Sequence, residues 1–466
     1  MKLKPILYLA ILIGIYSCKN ITKNKPSLNG VWNTIGYGKQ FIITDSIVTI
    51  YDIYERGCSF NSQLTKELFD NKYNITKLTI DSLTLRSGFT DYGSIRVNSK
   101  ASICGENSKS ADPLTNFDAL WNTFSEYYPS FKLRGIVWQE SKEKYRSKLD
   151  SQSTDLELYT TLSEMISELN DEHVSIDIPE VLNNEADEAY KSDKLRESVI
   201  KLINTKYVDS LKIYNGGIIN WGIISSRIGY IQINDFENLA NYSIDQELSV
   251  NEFWKKYSEK ASKSKNYRKD NLNGVKELMP QILQDIKYTK SCIIDVRFNG
   301  GGFDEVGLEV LSYFSDRKTI AFSKKAKFKN GFTQSQTIYV EPNDQMYNGN
   351  IYILTSFQTA SAAEIFVLAS QNLPSITTIG SNTMGILSDI LTKKLPNGWT
   401  YGLSSEIYES ADGNNYERNG IPADIDLNYE KNSADFYNNL LLSLKKEDLA
   451  IEKVIEINTE KTAPNN

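Results

Sequence analysis

Ser361 lies between a β-prone run, IYIL at 351–354, and a helix-like run, AAEIFVLAS at 362–370. At a strand–turn–helix junction, a hydroxyl meets the backbone N–H groups and the positive end of a helix, which can stabilise an oxyanion. This position favours a nucleophile. Ser361 and Glu364 also have the S-x-x-E spacing of a capping box, which starts a helix without any chemistry. The local pattern leaves both interpretations open.

A second strand–turn–helix junction contains three consecutive glycines. The apolar run CIIDV at 292–296 leads to Asn299 and the glycines at 300–302, and a helix-like run follows. Glycine lets backbone N–H groups approach a ligand or an oxyanion closely. A tight turn would use the same residues. Because the pattern repeats the one around Ser361, we predict that the two junctions face each other.

His173 is the only histidine in the chain, and it follows a helix-like run in the segment NDEHVSIDIP. Histidine suits acid–base work near neutral pH, and it also occurs as a purely structural residue. A single histidine excludes a histidine-rich metal site, and the four cysteines are not clustered. We therefore expect no metal and no cofactor.

The length and charge of the chain limit the class of protein. At 466 residues it is too long for one ordinary compact domain, and its hydrophobic content of 40% supports substantial cores. The formal net charge of −7 argues against nucleic-acid binding.

The N-terminus has the organisation of a targeting segment. The basic MKLK precedes an apolar run that is short for a membrane span and ends at Cys18 in the context IYSC. This order resembles a bacterial lipoprotein signal, in which the cysteine is lipidated and becomes the new N-terminus. An ordinary signal peptide with an incidental cysteine is the alternative. Both interpretations predict export, and the first predicts a lipid anchor facing the periplasm or the cell surface.

Changes in periodicity divide the rest of the chain. Short alternating runs separated by Asp, Asn and Gly turns predict a small antiparallel β domain, and later segments show helical spacing of aromatic residues. The predicted divisions are a signal peptide (1–17), a tether (18–27), the β domain (28–105), a helical subdomain carrying His173 (108–210), the core (212–430) and a C-terminal helix with its tail (431–466).

Three cysteines remain after Cys18. Cys58 and Cys104 both lie in the predicted β domain, and an exported protein can oxidise them, so we predict a disulfide between them. Cys292 lies in an apolar run and is expected to be a buried free thiol.

Several motifs together resemble those of the C-terminal processing (tail-specific) serine peptidases. They occur in the family's order between about residues 112 and 430 and are DVRFNGGG (295–302), TASAAEIF (359–366), TIGSNTMG (378–385), LPNG (395–398) and YERNGIPADIDL (416–427). The resemblance implies an α/β fold with a crotonase/ClpP-like ββα spiral core preceded by a helical subdomain. It also implies that Ser361 is the nucleophile.

The chain departs from the Ser–Lys members of that family at one position. These members carry a lysine directly after the T-x-G motif, where this chain has Ile386, a residue that cannot accept a proton. Lys393 and Lys394 are the nearest lysines downstream, in a predicted strand. The chain instead resembles the tricorn-type and interphotoreceptor retinoid-binding-type branch, in which a histidine in the context L-x-D-G-H supplies the base. LNDEH at 169–173 matches except for Glu172 in place of glycine.

The resemblance to that branch implies a His–Ser–Glu triad of His173, Ser361 and Glu417, with Glu417 orienting the imidazole. In a triad, the base activates a hydroxyl that is a poor nucleophile alone, and the carboxylate stabilises the imidazolium. We expect the backbone N–H groups of Ala362 and Gly301 to hold the oxyanion, with Gly300 as the alternative second donor.

The predicted function is that of an exported serine endopeptidase acting on a peptide or protein through an acyl-enzyme. Two alternatives remain on the same fold, namely a carrier of apolar ligands and a hydrolase of non-peptide esters. Retention of all three triad residues favours an enzyme over a carrier. The sequence does not specify the cleavage preference or the oligomeric state.

Overall fold

The computed structural model describes residues 25–55, 57–99, 104, 108–177, 186–224, 227–373 and 375–460, without the side chains of 186–191 and 460. The predictions for the signal peptide at 1–17 and for Cys18 concern residues outside these ranges. Within the described ranges, no helix combines the length and the apolar character needed to cross a membrane.

A seven-stranded antiparallel sheet forms the N-terminal part, with strand order β4-β3-β2-β1-β7-β6-β5. Its elements are β1 (Gly30–Thr34), β2 (Lys39–Ile43), β3 (Ile47–Tyr54), β4 (Gly57–Thr65), α1 (Lys66–Lys72), β5 (Asn74–Leu78), β6 (Ser82–Ser87) and β7 (Thr90–Val97). Alternate residues such as Trp32 and Phe41 are buried against Phe69 of α1. The predicted Cys58–Cys104 disulfide is present.

Four helices follow the sheet and build a second core. They are α2 (Pro113–Tyr127), α3 (Phe131–Arg134), α4 (Trp138–Arg146) and α5 (Asp155–Ser167), and the short strand β8 (Ser175–Ile176) comes after them. Asp112 caps α2 by accepting from the N–H of Thr115, and Pro113 occupies its first turn. The aromatic stripe of α2 packs into this core, in which Phe117 and Phe124 are fully buried.

The remaining elements form the largest part of the chain. In chain order they are α6 (Ala186–Tyr207), β9 (Val208–Tyr214), β10 (Ile219–Ile224), β11 (Ile228–Ile233), α7 (Val250–Ala261), α8 (Tyr267–Ile286), β12 (Ser291–Asp295), α9 (Asp304–Ser312), β13 (Thr319–Phe328), β14 (Gly331–Phe332), β15 (Gln336–Val340), β16 (Asn350–Thr355), α10 (Ala362–Ser370), β17 (Ile376–Gly380), β18 (Ile390–Lys394), β19 (Thr400–Ser404), β20 (Glu406–Glu409), β21 (Ile425–Asp426), α11 (Ser433–Ser443) and α12 (Leu449–Glu460).

The central sheet has the order β21-β17-β16-β12-β11-β10-β9. Strands β11, β12, β16, β17 and β21 run parallel to one another, whereas β10 pairs antiparallel with both β11 and β9. Every residue of β12 is buried, as expected for a parallel strand covered on both faces. The predicted α/β class is confirmed. Two smaller sheets, β14-β13-β15 with β20 and β18-β19-β8, flank the central one.

Two helical segments pack differently from the predicted divisions. The prediction placed α6 in the helical subdomain of 108–210, but Val199 and Ile203 of α6 are buried in the cluster of the central sheet. The predicted single C-terminal helix is a pair, α11 and α12, and Phe436 and Val454 join the same cluster. These helices cover one face of the sheet, because its parallel strands expose apolar side chains on both faces.

Candidate active site

The two strand–turn–helix junctions meet because their strands are parallel neighbours. β12 pairs with β16 in a register that places Asp295 opposite Leu354, so both strands end at the same edge of the sheet. In parallel sheets this edge is the usual place for a site. The triple glycine that follows β12 therefore lies beside the turn that leads from β16 to Ser361, as predicted.

Three hydrogen bonds tie the two turns together. The Ser356 hydroxyl donates to the Arg297 carbonyl at 2.6 Å, and the Thr359 hydroxyl donates to the Val296 carbonyl at 2.8 Å. The N–H of Ala360 donates to the carbonyl of Asn299 at 3.1 Å. The turn before Ser361 is thus held along its length by the neighbouring turn.

Gly301 faces Ser361 at a distance that only glycine allows. Its φ is +124°, and a Cβ atom at this position would lie 2.8 Å from the Cβ of Ser361 and 3.2 Å from the amide nitrogen of Ala362. A side chain would therefore collide with the serine. The close approach also places the backbone of the triple glycine next to the first N–H group of α10.

Ser361 itself has a strained backbone, with φ 54° and ψ −126°, and α10 begins at the next residue. A non-glycine residue in such a region costs of order 1–3 kcal/mol, and such strain clusters at functional sites. The same geometry characterises a nucleophile on a sharp strand-to-helix turn. Ser361 is only partly buried, so its side chain remains accessible to a substrate.

The amides around Ser361 could hold an oxyanion. Ala362 is the first residue of α10, so its N–H has no carbonyl within the helix to pair with. The N–H of Gly301, the predicted second donor, already donates to the side-chain oxygen of Asn299 at 2.8 Å. Among the described residues, no hydrogen bond engages the exposed amide of Gly300. This hydrogen bonding therefore leaves the amide of the alternative donor, Gly300, available.

Glu364 connects the nucleophile's helix to the following loop. Its buried carboxylate accepts from the N–H of Ser361 at 3.2 Å and from the Thr383 hydroxyl at 2.6 Å. It also accepts from the N–H groups of Gly385 and Ile386 at 2.7 and 2.8 Å. Burial raises the pKa of Glu364 to about 7, although these hydrogen bonds oppose the rise. Glu364 therefore does more than complete a capping box.

His173 is buried just before β8, which pairs with β19. Its Nδ1 lies 2.6 Å from the carbonyl oxygen of Ser388. Because a carbonyl only accepts, Nδ1 carries the proton in the neutral ring and Nε2 keeps its lone pair. Burial lowers the pKa of His173 below its usual value, against the opposing effects of Asp171 and the Ser388 carbonyl. A neutral ring with a free Nε2 is the form that can act as a base.

Glu417 lies in the same region but does not contact the imidazole in the predicted way. One carboxylate oxygen accepts from the N–H groups of Leu387 and Ser388 at 2.9 and 3.3 Å. The other accepts from Arg134 at 2.9 Å. Within the described chain, no hydrogen bond joins Glu417 to His173. Glu417 is therefore connected to His173 through the backbone of Ser388, whose carbonyl oxygen lies 2.6 Å from Nδ1 of the ring.

Two partners of this network, Arg134 and Asp171, were not among the predicted site residues. Arg134 bridges the carboxylates of Glu417 and Asp171, with a nitrogen–oxygen distance of 3.2 Å to the latter. Asp171 also accepts from Tyr128 at 2.8 Å and from the backbone N–H of His173 at 3.1 Å. Asp171 is the aspartate of the LNDEH motif, so the motif could have identified it. Burial and the neighbouring Asp171 raise the pKa of Glu417 to about 7.

The segment 383–388, here called the anchoring loop, links the turn of Ser361 to His173. Glu364 binds its first half, Glu417 binds its second half, and the N–H of Met384 donates to the Thr359 carbonyl at 3.0 Å. No hydrogen bond between the Ser361 hydroxyl and the His173 ring occurs in the described structure. Catalytic hydrogen bonds often tighten only when a substrate is bound.

Comparisons with known proteins identify the family of this chain. The model of peptidase family S41 matches residues 227–427, and the model of the tricorn protease C1 domain matches residues 110–167. The chain belongs to the S41 peptidase family. It is therefore a serine-type peptidase, and the family predicted from the motifs is confirmed.

Solved structures agree with the family in their fold. A candidate peptidase from Parabacteroides merdae is 21% identical, with 75% of this chain and 97% of that one covered at a TM-score of 0.55. Mature CPAF is 12% identical over 72% of this chain and 96% of its own, at a TM-score of 0.49. The photosystem II D1 C-terminal processing protease is 13% identical over 71% and 97%, at a TM-score of 0.40. The Parabacteroides merdae structure and the match to the S41 model confirm the predicted fold, an α/β core of the crotonase/ClpP-like type with a helical subdomain and a small β domain.

In this S41 peptidase, Lys393 and Lys394, which follow the anchoring loop, contact the β domain. The ammonium of Lys393 is buried, donates to the Gly38 carbonyl at 2.8 Å and lies 3.5 Å from Asp52. The backbone N–H of Lys394 donates to the same aspartate at 2.9 Å. These contacts attach β18 to the β domain, so the partners of Lys393 give it a structural role.

The β domain of the peptidase also supports the end of the anchoring loop. Asp389, which follows Ser388, accepts from the Thr90 hydroxyl at 3.0 Å and from the buried ammonium of Lys324 at 2.9 Å. Lys324 in turn donates to Glu406 at 3.0 Å. The residue next to the carbonyl that holds His173 is thus fixed by both the β domain and the core.

We predict that Glu417→Gln lowers kcat by about 10- to 100-fold, because a mismatched buried polar contact costs about 1–3 kcal/mol. The NH₂ group of the new glutamine side chain would face another donor, either Arg134 or the N–H groups of the anchoring loop. Steady-state hydrolysis of a quenched fluorescent peptide measures the change. Glu409→Gln, which removes an ion pair with Lys325 at 2.8 Å, is the matched control. Unchanged kcat in Glu417→Gln would contradict a positioning role.

Proposed function

We propose that this S41 peptidase is an exported, lipid-anchored serine endopeptidase that cleaves peptide bonds through an acyl-enzyme. Ser361 is the nucleophile, His173 is the general base, and Glu417 is a positioning residue. The observation that carries the proposal is the strained backbone of Ser361 against Gly301, at the start of a helix whose first amide has no helical partner.

The proposed reaction follows from the site's donors and acceptors. The Ser361 hydroxyl attacks the scissile carbonyl and passes its proton to Nε2 of His173. The oxyanion is held by the N–H groups of Ala362 and Gly300, with Gly301 beside them. His173 then returns the proton to the leaving amine. Water activated by the same ring releases the acyl group from Ser361.

Covalent labelling tests the nucleophile. A fluorophosphonate probe should label the full chain and should not label Ser361→Ala. Ser249→Ala is the matched control, because Ser249 and Glu252 form an S-x-x-E capping pair at the start of α7. Equal labelling of the Ser361→Ala and wild-type proteins would overturn the assignment, and absence of labelling in both would favour a ligand carrier.

The proposed activity should fall on acidification through more than one ionisation. His173 must be neutral to accept a proton, and its pKa is lowered by burial. Glu417 must be ionised to accept from the anchoring loop, and burial raises its pKa to about 7. Both requirements are met at high pH and lost as pH falls. In a plot of log kcat/KM against pH, the acid limb should therefore have a slope above one.

Comparison with a variant tests the origin of this limb. Glu417→Gln cannot ionise, so its acid limb should be shallower than that of the wild-type enzyme. The measurement is kcat/KM across a pH series at constant ionic strength. Identical limbs in the two enzymes would show that Glu417 does not contribute an ionisation.

The export and anchoring part of the proposal depends on the N-terminal sequence. MKLK, the apolar run and IYSC have the order of a lipoprotein signal. The Cys58–Cys104 disulfide supports export, because disulfides persist in oxidising compartments. Mass spectrometry of the mature N-terminus should find a lipid on Cys18, and Cys18→Ala should remove it. An unmodified N-terminus formed by cleavage elsewhere would refute the anchor.

A further inference from the structure

An open cleft of about 470 Å³ runs along the triple glycine. Its floor contains residues 300–302, and one wall is formed by the segment after β11 that includes Asn234, Asp235 and Glu237. Gly301, in the floor, is the glycine that lies against Ser361. The cleft therefore shares Gly301 with the surroundings of Ser361 and is a place for substrate residues that flank the scissile bond.

The ionisable groups of the cleft are mostly acidic. Asp193, Asp235 and Glu237 line it, together with a single cation, Arg196. The Arg196 guanidinium is already used, since it donates to the Phe298 carbonyl at 2.9 Å and to the Asn234 carbonyl at 3.1 Å. The carboxylates thus outnumber the cation, and the cleft attracts positive charge.

The Glu237 carboxylate is less constrained than that of Asp235. Within the described chain it makes no hydrogen bond and no ion pair. Asp235, by contrast, accepts from the N–H of Glu237 at 2.7 Å and from the Asn238 amide at 3.2 Å. Burial raises the pKa of both carboxyls, and Asp235 adds to the rise at Glu237. A cation placed between them would relieve this repulsion.

Asn234 supplies a second, independent indication of a ligand. Asn234 lines the cleft and is 6% exposed, and within the described chain its buried Oδ1 has no hydrogen-bond partner. The orientation of the amide is set, because Nδ2 donates to the Gly217 carbonyl at 2.8 Å. A buried amide oxygen without a partner is costly, so a donor supplied by a ligand would be favoured.

We propose that this cleft binds a cationic side chain, lysine or arginine, of the substrate next to the scissile bond. The proposal rests on the proposed peptidase function and names its substrate class. Glu237 and Asp235 pair with the positive charge, and Asn234 accepts a hydrogen bond from the ammonium or guanidinium. Both features are needed, because an ammonium or guanidinium group requires acceptors as well as a negative potential.

Matched peptides test the proposal. Quenched fluorescent peptides that differ only in lysine or norleucine, placed in turn at each position around the scissile bond, are compared by kcat/KM. We expect a preference for lysine of about tenfold or more at one position, as for one well-placed charge pair. Glu237→Gln should reduce this ratio, and Glu237→Lys should turn the preference toward glutamate. Glu247→Gln, an exposed glutamate outside the cleft, should leave the ratio unchanged.

Binding to an inactive enzyme separates this proposal from the proposed function. Ser361→Ala should bind the lysine peptide about tenfold more tightly than the norleucine peptide in calorimetry. The cleft assignment would be overturned if neither hydrolysis nor binding showed a preference for lysine. It would also be overturned if the preference survived Glu237→Lys. In both cases the proposed peptidase function would still stand. Tighter binding of the lysine peptide without hydrolysis or fluorophosphonate labelling would support the cleft and overturn the peptidase proposal.

Discussion

Ser361→Ala is expected to lower kcat for peptide hydrolysis by about 10⁴- to 10⁶-fold, the range seen when a triad nucleophile is removed. The substitution removes the atom that would form the acyl-enzyme. The oxyanion donors and the substrate cleft remain, so binding of the peptide should persist. Hydrolysis of a quenched peptide and calorimetric binding of the same peptide measure the two effects.

Ser249→Ala separates this expectation from a capping role. Both serines begin a helix with the S-x-x-E spacing, and the Ser249 hydroxyl accepts from the backbone N–H of Glu252 at 3.4 Å, as an ordinary cap does. Loss of a cap costs about 1 kcal/mol of stability and should not affect kcat. If Ser361→Ala kept kcat within tenfold of wild type while lowering stability as Ser249→Ala does, Ser361 would be a cap and not a nucleophile.

His173→Ala is expected to lower kcat by about 10³- to 10⁶-fold, because Ser361 would lose its base. His173 is the only histidine, its Nδ1 is held by the Ser388 carbonyl, and its Nε2 keeps the lone pair that a base requires. The decrease should exceed that of Glu417→Gln, which disturbs the anchoring loop but leaves the imidazole in place. Steady-state kinetics with one peptide substrate compares kcat of the two variants.

Lys393→Met is the control for a displaced serine–lysine dyad. Lys393 is buried against the Gly38 carbonyl and Asp52, so its loss should affect stability and leave the reaction at Ser361 in place. A thermal melt accompanies the kinetic assay. Near-full activity in His173→Ala, together with loss of activity in a folded Lys393→Met, would replace the histidine mechanism with a lysine one.

The junction that carries Ser361 was predictable because its parts are local in sequence. A β-prone run, a short turn and a helix-like run are all contained in residues 351–370, and period and composition are enough to identify them. The triple glycine at 300–302 could be interpreted in the same way. Their proximity also followed, since parallel strands end at one edge of a sheet.

Other assignments depended on the resemblance to a family and not on local pattern. His173 is separated from Ser361 by 188 positions in the numbering of the chain, and its own surroundings fit a structural histidine equally well. Its selection needed the LNDEH motif and the isoleucine at position 386. The helical spacing of α6 was evident, but periodicity does not tell which core a helix covers, and α6 packs on the central sheet.

The sequence by itself therefore determined the serine junction and the glycine turn, and through the resemblance to a family it predicted a histidine in place of a lysine. Only the tertiary structure decided how the histidine is held. Its partner is the backbone carbonyl of Ser388, which has no residue-type signature. Glu417 is connected to the same backbone because it accepts from the amides of Leu387 and Ser388. Arg134 is brought to Glu417 across 283 positions by the packing of α3. Such contacts arise from the docking of distant elements, which local periodicity and residue spacing do not encode.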